Sequence, residues 1–352
     1  MKKLLLKILA MLLVIVIVNN IVFSFIKLPF SWGFYYDKEK CLEANAGEYN
    51  TLLMGSSRVG RQIDPVLFDS LNTAGHQKTS SINLGMDGAT IAEVYYQFNH
   101  IINQKNLHTK FALVELCDVD TFTYENLHTI RKKYYYNFGD YCNSVSSLLQ
   151  SSYSLTRKVI GTTMHTFNFA EHLLRFNELG SVVKFKKTDQ KANYNCNHLY
   201  DPFTIRENDT SSATYNGVRQ LNPHAQFMKH PQYLNENRNV IAAVMLQKPA
   251  EPGLADNAYL QMANDMIAQG EKHAITVIFI LPPKVGEAHF RTVLQVYNQL
   301  KPENKIALAS PSEFPEFYNM KYTYDLGHLD KNGAAIFTQK LSEQFLKITG
   351  AK

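Results

Sequence analysis

Three residues in two short motifs have the side-chain types of a nucleophilic acyl-transfer site. Ser57 ends a Gly-Ser-Ser turn, and Asp325 and His328 lie three positions apart near the C-terminus. A serine hydroxyl is a weak nucleophile until a base takes its proton, and a histidine oriented by a carboxylate is the usual base. The set predicts a nucleophile, a base and an orienting acid. Each motif alone also fits a plainer interpretation, namely a helix-capping serine or an aspartate that caps a turn beside a surface histidine.

A glycine-containing block follows the next apolar run and could complete such a site. The block reads Asn-Leu-Gly-Met-Asp-Gly-Ala-Thr over residues 83–90 and contains Gly85 and Gly88. Glycine lets a backbone N–H approach a ligand with no side chain in the way. Backbone N–H groups, including that of Ser57 at a strand-to-helix turn, can stabilise a developing oxyanion. The block by itself is not specific, because glycine turns are common.

Five short apolar runs must position these motifs, and helical segments alternate with them. The predicted strands are Thr51–Met54, Ser81–Leu84, Phe111–Leu116, Ala274–Leu281 and Ile306–Ala309. The predicted helices are a short one opened by Asp64-Pro65, then Ala92–Asn103, Asp256–Gln269 with Gly270 as its stop, Arg291–Leu300 and Asn332–Ile348. This alternation predicts a three-layer α/β/α fold around a mostly parallel five-stranded sheet. Open parallel sheets bind ligands at the carboxyl ends of their strands, where all three motifs fall.

The stretch from about 122 to 250 interrupts this alternation. Its first part, Tyr141–Leu179, has helical character, whereas residues 192–240 are rich in Asn, Tyr, His and Pro and show no clear period. We interpret the stretch as an insertion over the active face of the sheet. A long unpatterned segment in a compact domain is often a lid or a binding element, and a mobile surface excursion is the alternative.

The three motifs, in this order, resemble the SGNH/GDSL hydrolase superfamily. The Gly-Ser-Ser turn stands where the family often has Gly-Asp-Ser, and the run from Asp325 to Leu341 is similar to the family's closing block. The resemblance covers residues 50–118 and 256–348. It implies a flavodoxin-like sheet and a Ser57–His328–Asp325 triad. It also implies oxyanion donors on Ser57 and on Gly88, with Gly85 as the second choice.

One block departs from the family pattern. The family often has Gly-x-Asn-Asp after the third strand, and its Asn donates to the oxyanion, but here Val119 stands in that place. Losing one such donor typically costs about 10²–10³ in rate, so either another group donates or hydrolysis is slow. Arg58 and Asp118 are candidate substrate contacts. A structural ion pair is the alternative for Arg58.

The N-terminus predicts a membrane anchor. Residues 8–26 form an uncharged run of 19 residues, preceded by Lys2, Lys3 and Lys7. That length suits a hydrocarbon core of about 30 Å, and no convincing cleavage site follows. We therefore divide the chain into a signal anchor over 1–30 and a hydrolase-like domain over 31–352. Flanking lysines nearly balance, but large domains translocate largely regardless of charge, so the domain is expected outside the cytoplasm.

Composition excludes several other classes of function. The 352-residue chain has a net charge of only +5 and lacks a long basic run with interleaved aromatics, so we predict no nucleic-acid partner. Its four cysteines include no C-x-x-C pair, and the spacing of His198, His224 and His230 is irregular, so we predict neither a metal nor a cofactor. Disulfides are permitted outside the cytoplasm, but the sequence does not assign them.

The motifs and the anchor together predict an envelope enzyme that acts on esters. Water as the acyl acceptor would make it an O-acyl, for example O-acetyl, esterase, and a sugar hydroxyl would make it an O-acyltransferase. The expected substrates are acylated glycans of the cell envelope or secreted ones. A transferase would need a membrane partner that delivers the acyl group. The alternative from another class is a catalytically silent, membrane-tethered binding or assembly protein that keeps the fold.

Overall fold

The computed structural model describes residues 2–25, 34–104, 107–120, 137–174, 227–247 and 257–350. The strands are β1 (Thr51–Met54), β2 (Ser81–Asn83), β3 (Phe111–Glu115), β4 (Thr276–Leu281) and β5 (Lys305–Ala307). The longer helices are α1 (Lys2–Phe25), α2 (Phe34–Ala44), α3 (Ser57–Gln62), α4 (Pro65–Ala74), α5 (Ile91–Ile102), α6 (Phe138–Gln150), α7 (Leu155–Leu174), α8 (Gln232–Leu246), α9 (Ala258–Lys272), α10 (Glu287–Gln299) and α11 (Lys331–Thr349).

The five strands form one sheet in the order β2-β1-β3-β4-β5, and every pairing is parallel. From β1 the chain goes to β2 on one side, and from β2 it crosses to β3 on the other side of β1. The direction of its connections therefore reverses at β1. Because parallel crossovers are right-handed, this reversal puts helices on opposite faces of the sheet. Accordingly, α4 and α3 contact α11, whereas α9 contacts α5, α6 and α10. The predicted five-stranded α/β sheet is confirmed, and it is parallel throughout.

The predicted strands match the observed ones to within one or two residues at each end. The start of α4 is also as predicted, because the side chain of Asp64 accepts hydrogen bonds from the backbone N–H groups of Val66 and Leu67. The predicted stop at Gly270 is wrong. Helix α9 runs on to Lys272, and a Cβ at Gly270 would lie 2.7 Å from the carbonyl oxygen of Ile275. This glycine permits close packing and does not end the helix.

Helix α2 lies in a stretch for which the sequence analysis predicted no helix. Its Leu42 is fully buried, and the ammonium of its buried Lys38 donates to the carbonyl oxygen of Gly85 at 2.9 Å. Tertiary contacts therefore stabilise this helix, which the hydrophobic periodicity of the sequence did not predict. Cys41 on this helix is disulfide-bonded, whereas Cys117 and Cys142 are free thiols.

The insertion contributes three of the described helices. Helices α6 and α7 confirm the helical character predicted for Tyr141–Leu179 as far as residue 174. The prediction that residues 192–240 have no clear period is wrong from residue 232 onward, because α8 begins there. Residues 192–226, which include His198 and His224, lie outside the described part of the chain. The role of the insertion as a lid stays a prediction.

The N-terminal helix α1 contacts the insertion. The side-chain amide of Asn19 donates to the carbonyl oxygen of Leu174, at the end of α7, at 2.7 Å. Over the ranges that the structure describes, no helix combines the length and the apolar character needed to cross a membrane. The anchor over residues 1–30 stays a prediction.

Candidate active site

A continuous chain of hydrogen bonds joins the three residues of the predicted triad. Ser57 Oγ lies 2.8 Å from His328 Nε2, although the two residues are 271 positions apart. On the other side of the ring, His328 Nδ1 lies 2.8 and 3.0 Å from the two carboxylate oxygens of Asp325. A histidine that is bonded to a hydroxyl through one nitrogen and to a carboxylate through the other has the geometry of a general base beside a nucleophile.

The turn that presents Ser57 is held by a buried carboxylate. The backbone N–H and the hydroxyl of Ser56 each donate to Glu115 Oε2 at 2.7 Å. A Cβ on Gly55 would lie 2.7 Å from that same oxygen, so only glycine lets the turn approach the carboxylate. Because β1 pairs directly with β3, Glu115 at the end of β3 fixes where the turn after β1 lies.

Ser57 is the first residue of α3, and Ser56 is its N-cap. The first N–H groups of a helix have no intrahelical partner, so the N–H of Ser57 is free of the helical hydrogen-bond pattern. Ser56 instead accepts from the N–H of Arg58 through its hydroxyl, at 3.2 Å. The predicted nucleophile thus lies at the start of a helix, and its own N–H would be available to an oxyanion.

Arg58 forms the structural ion pair that the sequence left open. Its Nη1 lies 3.4 Å from Glu115 Oε1, and the Glu115 side chain is only 1% exposed. A buried carboxylate needs such a partner, and this accounts for the position of the arginine. The Nε of Arg58 is buried and has no hydrogen-bond partner within the described ranges. No contact here tests a substrate role for Arg58.

The loop from Asp325 to His328, which carries the predicted base and is called the base loop below, is closed around Asp325. Its Oδ1 accepts hydrogen bonds from the backbone N–H groups of Gly327 and His328, each at 2.8 Å. Burial by itself would raise the pKa of Asp325. The hydrogen bond and charge of His328 and the Gly327 N–H outweigh it and hold the pKa of this carboxyl well below its usual value. Asp325 is therefore ionised at neutral pH and can orient an imidazole.

Replacing Asp325 by asparagine should reduce the reactivity of Ser57 by about 10⁴-fold, because the amide no longer holds the imidazole in the required tautomer and charge state. The rate of covalent labelling of Ser57 by a fluorophosphonate measures this effect.

The free energy of unfolding of Asp325→Asn should change as well. A carboxyl whose pKa is lowered by folding contributes stability above its unfolded pKa of about 4, and this contribution is lost as the pH falls through the folded pKa.

Urea titrations at several pH values test that second effect. The stability difference between the native chain and Asp325→Asn should be greatest at neutral pH and should shrink below pH about 4. A difference that is constant from pH 7 to pH 3 would contradict the assigned ionisation of Asp325.

Lys284 is a site residue that the sequence analysis missed. It follows the Pro-Pro pair after β4, and its side chain donates to the carbonyl oxygens of Asp325 and His328 at 2.9 and 2.8 Å. The sequence signal was its position at the carboxyl end of a predicted strand, where ligands and functional groups of parallel sheets collect. Nothing in the local sequence indicated that its partner would be the base loop.

The two glycines of the glycine block behave differently. The N–H of Gly85 already donates to Asn83 Oδ1 at 3.0 Å, which disfavours it as an oxyanion donor. A Cβ on Gly85 would lie 2.2 Å from the backbone nitrogen of Gly60 in α3, so its part is close packing. Gly88 has a φ of +63°, the left-handed region that favours glycine. No backbone hydrogen bond in the described chain uses the N–H of Gly88, which leaves that donor available.

Asn83 holds the glycine block against α3 and was not singled out from the sequence. Its fully buried side chain donates to the carbonyl oxygens of Val59 and Ile63, both at 2.8 Å. Together with the bond from Gly85, three backbone groups bind this one amide, and the Val59 carbonyl oxygen also accepts from the Ile63 N–H at 3.3 Å. The Asn83 amide therefore fixes the distance between the glycine block and the nucleophile helix.

We expect Asn83→Ala to destabilise the fold by about 2–4 kcal/mol, because each orphaned buried polar group costs about 1–3 kcal/mol. Urea unfolding measures the change. Asn103→Ala is the matched control, since its amide bonds to the Asn99 carbonyl oxygen on an exposed helix end, and its cost should be about 0.5 kcal/mol or less. Equal costs for the two variants would refute the tethering role of Asn83.

In the block after β3, where Val119 stands in place of the family's Asn, the polar side chain of Asp118 points into the protein. Asp118 is 8% exposed, and its Oδ2 accepts from the hydroxyl of Tyr153 in the insertion at 2.7 Å. Burial and the Asp118 carboxylate raise the pKa of Tyr153 well above its usual range. Val119 is fully buried and supplies no side-chain donor. Asp118 therefore joins the insertion to the end of β3, which disfavours a direct substrate contact.

Comparisons with known proteins leave this geometry as the main evidence on function. No protein-family model matches the chain, and no curated protein sequence matches it.

Proposed function

We propose that this chain is a serine-nucleophile enzyme of the SGNH/GDSL type that hydrolyses or transfers an O-acyl group. The observation that carries the proposal is the hydrogen-bonded chain from Ser57 through His328 to Asp325, with separations of 2.8 Å on both sides of the imidazole. A helix-capping serine needs no histidine, and a turn-capping aspartate needs no serine. Nucleophilic catalysis accounts for all three contacts at once.

The position of the site supports the same proposal. The strand order 2-1-3-4-5 is the flavodoxin-like order, whose direction reverses between β1 and β3. Ligands of open α/β sheets bind outside the carboxyl ends of the strands at that reversal. Ser57 follows β1, and the Glu115 that fixes its turn ends β3. A substrate bound at the switch point would therefore meet the nucleophile.

The proposed reaction proceeds through an acyl-enzyme. As Ser57 Oγ attacks the acyl carbonyl carbon, His328 Nε2 takes the hydroxyl proton and Asp325 stabilises the resulting imidazolium. The tetrahedral intermediate collapses, the C–O bond to the leaving alcohol breaks, and His328 returns the proton to that alcohol. An incoming water or sugar hydroxyl then attacks the acyl carbon and gives its proton to His328. The bond from Ser57 Oγ to the acyl carbon breaks, and His328 returns the proton to Ser57 Oγ.

Two backbone donors support the negative charge that develops in this reaction. The N–H groups of Ser57 and Gly88 have no partner in the backbone pattern of the described chain and could serve as the oxyanion hole. This hole has two donors and lacks the side chain that Val119 replaces, so attack on the acyl carbon should be slow for water and for a sugar hydroxyl alike. A slow reaction fits a specialised deacylation or an acyl transfer within the envelope better than general lipase activity.

We propose acylated glycans of the cell envelope, or secreted ones, as the substrates, with residues 1–30 as a membrane anchor and the catalytic domain outside the cytoplasm. The exposed apolar side chains along α1, among them Leu5, Leu9 and Leu13, support an association with lipid. A transferase would receive its acyl group from a membrane partner. Flotation of the full chain with lipid vesicles tests the association, and a chain that stays at the bottom of the gradient contradicts it.

The experiment that tests the function is covalent capture. Incubation of the full chain with an aryl acetate and with a fluorophosphonate, followed by peptide mass spectrometry, should place an acetyl or phosphonyl adduct on Ser57. Release of the aryl alcohol without a stable adduct indicates hydrolysis, whereas an acetyl adduct that persists in water indicates a transferase. A chain that stays unmodified by both reagents overturns the proposal.

The second candidate function is that of a silent, membrane-tethered binding or assembly protein. The buried Val119 in place of a donor favours it, because one oxyanion group of the family pattern is missing. The same capture experiment separates the two candidates. A silent protein would show no adduct on Ser57 even with the reactive fluorophosphonate.

A further inference from the structure

Lys284 is a fully enclosed lysine beside the base loop. Only 2% of the residue is exposed. Its ammonium has three acceptors, the carbonyl oxygens of Asp325 and His328 at 2.9 and 2.8 Å and the hydroxyl of Thr323 at 3.3 Å. An ammonium has three N–H donors, so these contacts match its full capacity. All three acceptors lie within the six residues that lead to the base.

A lysine in this place is energetically costly. Burial lowers the pKa of Lys284 to about 7, although the neighbouring Asp325 carboxylate works in the opposite direction. The backbone of Lys284 also has a φ of +58°, a conformation that L-residues seldom adopt. Lys284 therefore carries both the cost of burying its ammonium and the cost of its backbone conformation. Its hydrogen bonds go to the base loop.

The backbone bonds to the carbonyl groups of the base loop are longer than the bonds from Lys284. The Asp325 carbonyl oxygen accepts from the His328 N–H at 3.3 Å, and the His328 carbonyl oxygen accepts from the Asp325 N–H at 3.3 Å and from the Tyr324 N–H at 3.0 Å. A length of 3.3 Å is at the weak end of the usual range. The Lys284 bonds to these two oxygens, at 2.9 and 2.8 Å, are shorter than the backbone bonds to them and are charge-assisted when the ammonium is protonated. Lys284 is therefore a principal restraint on the peptide groups that aim the His328 ring.

We propose that Lys284 is a positioning residue that holds the Asp325–His328 loop where the imidazole reaches Ser57. The proposal rests on the proposed function and adds a residue to its machinery. Lys284 touches neither the nucleophile nor the ring, and it acts through the backbone of the two residues that do the chemistry. Without it, the loop relaxes and the His328 Nε2 to Ser57 Oγ contact lengthens.

The test is Lys284→Met, a side chain of similar length without charge or donors, made in the full chain. The probe is a fluorophosphonate, with the inactivation rate constant and the half-saturating concentration measured separately. Misplacing a catalytic group by about 1 Å costs about 10²-fold, so the rate constant should fall by about that factor while half-saturation stays unchanged. If Lys284 had only a structural role, Lys284→Met would lower the melting temperature. At a temperature where both chains are folded, its inactivation rate constant would then equal that of the native chain.

Lys305→Met is the matched control. Lys305 is also a lysine whose pKa is lowered by burial, and it donates to the carbonyl oxygen of Tyr297 at 3.1 Å, but it lies on β5 and has no contact with the base loop in the described chain. Its inactivation rate constant should equal that of the native chain. If Lys305→Met slows labelling as much as Lys284→Met does, the positioning role is wrong.

The remaining outcomes are also decisive. A native chain that the probe does not label refutes the proposed function itself. A labelled native chain with an equally reactive, folded Lys284→Met refutes only the positioning role. If Lys284→Met does not fold, Lys284→Gln keeps two donors without the charge, and its rate constant should be intermediate. Failure of both variants to fold would make Lys284 a residue of the fold and overturn the inference.

Discussion

Ser57→Ala should reduce ester hydrolysis and fluorophosphonate labelling to the solvent background. Removing the nucleophile of a serine triad costs about 10⁶-fold in turnover, and its partners do not compensate because the triad works as a unit. In this chain His328 would lose the hydroxyl that lies 2.8 Å from its Nε2, and no acyl-enzyme could form. Aryl acetate hydrolysis and mass spectrometry of the labelled peptide measure the loss.

The control is Ser70→Ala, which removes an exposed serine hydroxyl on α4 away from the site. Its activity should equal that of the native chain. Ser57→Ala should itself stay folded, with a free energy of unfolding within about 1 kcal/mol of native, because it loses one hydrogen bond. Labelling that persists in Ser57→Ala would assign the chemistry to another residue.

Gly85→Ala should be the most damaging small substitution in the glycine block. The added Cβ would lie 2.2 Å from the backbone nitrogen of Gly60 and 2.9 Å from the carbonyl oxygen of Ser56. Both atoms belong to the backbone of the nucleophile turn and helix and cannot rotate away. Overpacking of this kind costs about 1–3 kcal/mol or more, and we expect the upper end of that range.

The same displacement should reach the chemistry, because Gly60 and Ser57 belong to one short helix. Urea unfolding measures the stability and fluorophosphonate labelling measures the reactivity, and both should fall. Gly286→Ala is the matched control, since a Cβ there meets nothing within 4 Å, and it should change both quantities little. A Gly85→Ala chain with native stability would show that α3 moves away at little cost.

The sequence predicted the parts of the site that have a local signature. A nucleophile after a strand, an aspartate three positions before a histidine, and glycines in a turn are all visible in short windows of sequence. The sheet was equally accessible, because a buried parallel strand is a continuous apolar run such as Thr276–Leu281. The meeting of Ser57 with His328 was inferred from the common edge of the strands and from the family resemblance.

The parts that were missed are polar groups whose partners are distant in sequence. Glu115 reads as the end of a strand, yet it binds the turn at Ser56, 59 positions away. From the sequence, Lys284 has the character of a loop lysine, and Lys38 lies in a stretch with no predicted element. Both are nevertheless buried against backbone carbonyl groups. Composition and periodicity describe which residues are apolar, and they do not specify which buried donor meets which acceptor.

The distance of 271 positions between nucleophile and base has a consequence for the timing of the proposed chemistry. During synthesis, Ser57 and the first three strands leave the ribosome long before residue 328, so the early chain carries a hydroxyl with no base to activate it. Contacts of such long range form late, because their loop-closure entropy must be overcome first. If Ser57 is the nucleophile that we propose, the emerging chain is expected to be inert toward esters, and reactivity would begin only when α11 has docked.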